Sequence, residues 1–194
     1  MSKLTMALKL WLKLPHLASP ECLLLLLAVF SRLVPHVPNF TALGAVALFA
    51  GFFFPKRKHA VSVPLVAMIL SDLVIGFHST LPWVYGALIL ISILGRSLQS
   101  SSDRHFSWTR LGGFSLVSAV LFFVVTNFGV WSLGSLYPRD IAGLSSCFVA
   151  AIPFFGNTLA SQFLFGGLLF GVHRALRKSQ AASNPTAKPF QPAS

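Results

Sequence analysis

The sequence predicts an all-α integral membrane protein, a bundle of six transmembrane helices with both termini in the cytoplasm. Three observations carry that prediction. A mean hydropathy of +0.75, with 10% charged residues, gives this 194-residue chain more apolar surface than a soluble domain of its size can bury. The apolar residues fall into six runs, each close to the roughly 20 residues a helix needs to cross a bilayer. The basic residues alternate with those runs, so that in a six-span chain nearly all of them fall on one side.

Taken in order, residues 1–16 form a basic cytoplasmic segment with Lys3, Lys9 and Lys13. The Leu-rich run behind it imitates a secretory signal. No small-residue cleavage site follows, and Arg32 with two prolines interrupts it, so the reading is a retained first span. The spans are expected at about 17 to 34, 40 to 54, 60 to 77, 81 to 96, 112 to 133 and 154 to 173, the second and fourth being short. Ile141 to Ile152 is apolar but is separated from the last span by Pro153. Together the two are too long for one crossing, so the first is expected to lie on, or dip into, the outer face. The transmembrane domain thus covers 17–174. The tail 175–194, rich in Ala, Ser, Pro and Gln, is expected to be disordered.

Lys56, Arg57 and Lys58, then Arg96, Arg104 and Arg110, then Arg174, Arg177, Lys178 and Lys188 join the N-terminal lysines on one side. Arg32 and Arg139 fall on the other. A five- or seven-span chain mixes the two sets, so the positive-inside rule sets the count and the orientation together. Because the +11 charge lies in short loops, it reads as a membrane anchor and not as a nucleic-acid surface. Cys22 and Cys147 sit inside apolar runs and match no metal or disulfide spacing.

The stretch RLVPHVPNFTALGAVALFAG, residues 32–51, organises the rest. Arg32, His36 and Asn39 are framed by Pro35 and Pro38, which break the helix into a turn. The helix that follows is rich in small residues that let other backbones come close. Counting about 1.5 Å per residue from the cytoplasmic charges places Asp72, Asn127 and Asn157 at one depth, roughly 20 to 25 Å in. The outer loops bring Arg32, His36 and Asn39, then His78 and Trp83, then Trp131, Tyr137, Arg139 and Asp140 to that level. This describes a pocket open to the outside.

Each residue also has a purely structural reading. Asp72 can pair with Arg32 or His78. Asn127 and Asn157 can bond neighbouring helices, and Trp83, Trp131 and Tyr137 can be interface aromatics. Ala47 and Gly51, or Gly167 and Gly171, can form close crossings inside the bundle. Arg139 and Asp140 can neutralise one another. Chemistry of reaction is not suggested: there is no H-E-x-x-H, no Cys/His cluster and no phosphate-cradling loop. Ser145 and His173 fall at opposite ends, and Asp72 has no second acid beside it in the membrane. No cofactor is expected.

With these residues placed, the chain resembles an uncharacterised family of small six-span bacterial membrane proteins. The likeness rests on residues 32–51, on PLVAMILSDLVIGF at 64–77, NFGVW at 127–131 and GLSSCFVAAIPFFGNTL at 143–159, and covers roughly residues 29 to 174. In size, span number and small-residue helix, that family is similar to the substrate-capture S components of energy-coupling-factor vitamin transporters. This second resemblance implies an S-component-like subunit in the bacterial inner membrane that holds a vitamin or similar micronutrient near the outer face. It implies partners in a coupling membrane subunit and two cytoplasmic ATPases, and release of substrate by toppling in the bilayer. Ala42, Ala45, Ala47 and Gly51 become candidates for the partner-facing surface. No substrate motif of a characterised S component aligns here, so the candidate site, Arg32, His36, Asn39, Asp72, Trp83, Asn127, Trp131, Arg139 and Asn157, rests on depth. The rival reading is a structural or assembly membrane protein with no small-molecule substrate.

Overall fold

The computed structural model describes residues 19–99, 107–133 and 136–183, which form six helices and, among the described residues, no strand. The N-terminal segment 1–16 lies outside them. Helix α1, Pro20–Leu33, starts where the Ser19 hydroxyl accepts from the Cys22 N–H at 3.3 Å and proline fills the first turn. After the Pro35/Pro38 turn comes α2, Leu43–Phe53. It is followed by α3, Arg57–Ile75, and α4, Leu81–Gln99. The last two are α5, Trp108–Leu133, and α6, Ile141–Ser183.

Helix α2 is the axle. It touches all five other helices, and eight of its eleven residues are buried. At about 16 Å it is half the thickness of a bilayer's hydrocarbon core. Its small side chains let neighbours approach to backbone contact. A Cβ on Gly51 would stand 2.0 Å from the Ser92 carbonyl oxygen, and one on Gly95 2.1 Å from that of Leu48. The two glycines therefore make a reciprocal crossing of α2 and α4. Ser31 hinges α2 to α1, accepting from the Ala42 N–H at 3.0 Å while donating to the Ala28 carbonyl at 2.9 Å. At the far end of α2, Phe49, Phe52 and Phe53 surround the His173 ring at centroid distances of 5.9, 5.6 and 5.6 Å. Arg96 binds the Pro55 carbonyl there at 3.1 Å, beside the basic turn at 56–58.

Four helices are long and apolar enough to cross a membrane: Arg57–Ile75, Leu81–Leu98, Trp108–Leu133 and Ile141–Ser179. Their outward faces carry large apolar side chains such as Leu73, Val74, Val149 and Leu164, as lipid contact requires. This is a membrane protein.

At three places the structure differs from the expected arrangement. Residues 141–152 are not a separate helix: α6 runs unbroken through Pro153. A proline deletes one backbone hydrogen bond, and in a packed membrane helix its neighbours compensate for that loss. Here the segment before it is held by Phe148 against Phe123 at 5.5 Å and by the Cys147 thiol donating to the Asn127 carbonyl at 3.5 Å. The same helix extends to Ser183, into the stretch expected to be disordered; the rest of that tail lies outside the described residues. Finally, Ala42, Ala45 and Ala47 are fully buried and Gly51 is buried against α4, so in this structure they pack against this chain's own helices. Gly167 and Gly171 make no comparable crossing. Among the described residues nothing lies within 4 Å of a Cβ on the first, and the second meets the Trp108 ring at 3.6 Å.

Candidate functional site

A cavity of about 540 Å³ opens between the helices at the end that carries the 34–42 turn. All six helices line it. Four of the nine site residues expected from the sequence do so: Arg32, His36, Asn39 and Asn127.

The turn is built by its own residues. The Phe40 N–H donates to the Val37 carbonyl at 3.1 Å, with Pro38 and Asn39 between them. Asn39 has φ of +63°, so proline followed by a left-handed asparagine matches the type II pattern. Its location in the chain is fixed by Asn157 of α6, whose Nδ2 donates to the Pro38 carbonyl at 2.9 Å. His36 Nδ1 lies 2.8 Å from the Val37 carbonyl. A carbonyl can only accept, so Nδ1 carries a proton in this contact.

Arg32 forms one wall. Its Nη1 is 2.7 Å from Asp72 Oδ1, 3.4 Å from the Met68 carbonyl, and in contact with the Ser71 hydroxyl. Nη1 approaches Oδ1 off the direction of an aligned hydrogen bond, so charge attraction holds that contact. Asp72 is fully buried, and its Oδ2 accepts the Tyr85 hydroxyl at 3.0 Å. The carboxylate thus faces Arg32 and Tyr85 and is not itself part of the lining, whereas Arg32 is. All of the arginine's contacts use Nη1, so among the described residues Nε and Nη2 take no partner, leaving a fork suited to a planar acceptor. Beside Asp72, α3 is stopped by Gly76, whose N–H donates to the Asp72 carbonyl at 2.8 Å and whose φ of +106° belongs to glycine.

The other expected residues have structural positions. Asn127 Nδ2 donates to the Phe123 carbonyl of its own helix at 2.7 Å, although the residue lines the cavity. Trp83 lies against Gly129, where a Cβ would stand 2.3 Å from its ring, and meets Phe128 edge-on at 5.2 Å. Trp131 Nε1 donates to the Pro138 carbonyl at 2.9 Å. Arg139 is exposed in the connection before α6, and the Asp140 next to it caps that helix by accepting from the Gly143 N–H at 2.7 Å. Trp83, Trp131, Arg139, Asp140 and Asn157 do not line the cavity.

Sequence reasoning missed other hydroxyl and amide groups of the lining: Thr126, Thr158, Ser118, Ser161 and Gln162. Their signal was available in part. Gln162 is a long amide inside an apolar run, and such a group in a membrane helix needs a reason to be there. Serine and threonine give no such signal, because each can satisfy itself on its own helix.

Fold and cavity together define a helical membrane protein with a chamber of mixed polar and apolar lining at one end of its bundle. A model described as "Family of unknown function (DUF6580)" matches residues 18–186, and the chain belongs to that family. No curated protein and no solved structure matches it.

Proposed function

We propose that this chain is a substrate-binding membrane subunit for uptake of a vitamin or similar micronutrient, energised by a separate coupling subunit and ATPases. In this reading it crosses the bacterial inner membrane six times with both termini in the cytoplasm, and the cavity faces outward. The observation that carries it is the chamber itself. Its volume of about 540 Å³ falls in the range of small-molecule sites, and every helix contributes to its lining. The partly unengaged Arg32 fork would take a carboxylate or phosphate near the mouth, and His36 and Asn39 would orient it. The distribution of basic residues in the sequence supports the orientation.

The test is native mass spectrometry of the protein purified from its own membranes, with thermal shifts against a panel of vitamins. A retained metabolite, or a shift that disappears when Ala119→Phe fills the cavity, supports the reading. A flat panel with no retained metabolite refutes it.

A second reading has its own support. Arg32 and Asp72 neutralise one another and Asn157 is spent on the Pro38 carbonyl, as in a structural or assembly membrane protein whose polar groups pair internally. That reading predicts a flat panel and an Ala119→Phe variant without phenotype.

A further inference from the structure

We propose that the deep part of the cavity is a hydrogen-bonding subsite for an uncharged amide-like edge, an adjacent carbonyl and N–H, held by Gln162 and Ser118. The inference rests on the binding-subunit reading and names the chemistry of its ligand.

Hydroxyls within these helices follow one rule: they donate back to a carbonyl of their own helix. Ser71 donates to Ala67, Ser92 to Leu88, Thr126 to Phe122 and Thr158 to Phe154, at 2.8, 2.9, 2.8 and 3.1 Å. Two hydroxyls of α5 depart from the rule: Ser115 and Ser118 are buried and their Oγ atoms have no partner among the described residues, and of the two Ser118 is the one that lines the cavity. On the adjoining helix α6, Gln162 is 3% exposed and lines the same space, and its Nε2 is likewise buried without a partner among the described residues. Buried amides and hydroxyls are normally paired, so two orphans on one cavity wall are a cost that a bound molecule would remove. Room for the Gln162 carboxamide comes from α2: a Cβ on Gly44 would stand 2.6 Å from Oε1.

The chemistry follows from the groups. The Gln162 amide N–H requires an acceptor, and the Ser118 hydroxyl can rotate to accept an N–H or donate to a carbonyl. Neither carries charge. Gln162 lies about 7 Å further along α6 than Asn157, and Ser118 about 13 Å further along α5 from Asn127, so both sit well inside the polar rim. A carboxylate placed there would be desolvated beside two neutral groups, whereas an amide or the lactam edge of a heterocycle would satisfy both. The ligand would then enter uncharged end first, with any acidic group left at Arg32.

The experiment uses the full-length protein in lipid nanodiscs, with nicotinamide and uracil as uncharged probes and nicotinate as the charged control of matching size. An uncharged probe should bind at least about tenfold more tightly than nicotinate. Ser118→Ala and Gln162→Leu should each weaken it about tenfold, the usual scale of one buried hydrogen bond. The melting temperature of the empty variants should stay level or rise, because each loses an unpaired polar atom. If Gln162→Leu is not monodisperse, Ser118→Ala with Gln162→Met decides. The proposal is overturned if neither uncharged probe binds, if nicotinate binds equally well, or if the variants keep wild-type affinity. A metabolite still found by native mass spectrometry would then leave the binding-subunit reading standing and remove this inference alone.

Discussion

Asn157 in the last helix donates its side-chain amide to the carbonyl of Pro38 in the first turn, 119 positions away, at 2.9 Å. The bond ties the rim of the cavity to the final helix. Asn157→Ala and Asn157→Asp both remove the donor, and each should cost about 1 kcal/mol. The drop in melting temperature of the purified protein measures it. An aspartate variant as stable as wild type would mean that the amide is not the tie.

The Arg32–Asp72 pair makes a sharper forecast. Asp72 is fully buried, so losing either charge leaves the other uncompensated, at about 3–5 kcal/mol. Arg32→Met and Asp72→Leu should each destabilise strongly, and the double variant should recover much of the loss. Thermal unfolding of the four proteins closes the cycle. Additive losses would show that the two charges do not support one another.

The α2–α4 crossing can be tested by adding one methyl group. Gly51→Ala or Gly95→Ala places a carbon about 2 Å from a backbone carbonyl oxygen, which only a shift of a helix can relieve. A loss of about 1–3 kcal/mol is expected, with broadened gel filtration. Gly86→Ala and Gly113→Ala, with nothing within 4 Å among the described residues, are the controls and should behave as wild type.

At Asn39 the backbone sets the outcome. With φ of +63°, Asn39→Gly should be tolerated, while Asn39→Val should cost about 1–2 kcal/mol. Comparing the two melting temperatures separates backbone strain from loss of the side chain, since both variants remove the amide.

Much of this arrangement was legible in the sequence, for identifiable reasons. Pro35 and Pro38 cannot continue a helix, so the turn that carries His36 and Asn39 was readable, and Asp72 in an apolar run demanded a partner that Arg32 supplies. The continuity of α6 was not readable. A proline breaks a helix or is absorbed by it according to what packs around it, and Phe123 against Phe148 is a tertiary fact. The small residues of α2 signalled close packing correctly, but they do not say against whom. That depended on Gly95, whose role shows only when α4 is laid across α2. The cavity's depth was hidden for a similar reason: Ser118 is distinguished from Ser92 only by a hydrogen bond it does not make.

The burial of α2 bears on how the protein is made. A helix of eleven residues that rests on α6 as well as on its earlier neighbours has no finished seat until the last part of the chain leaves the ribosome. The early hairpins must wait in the bilayer with an undersized segment among them, and truncation anywhere before α6 should leave an intermediate exposed to membrane proteolysis.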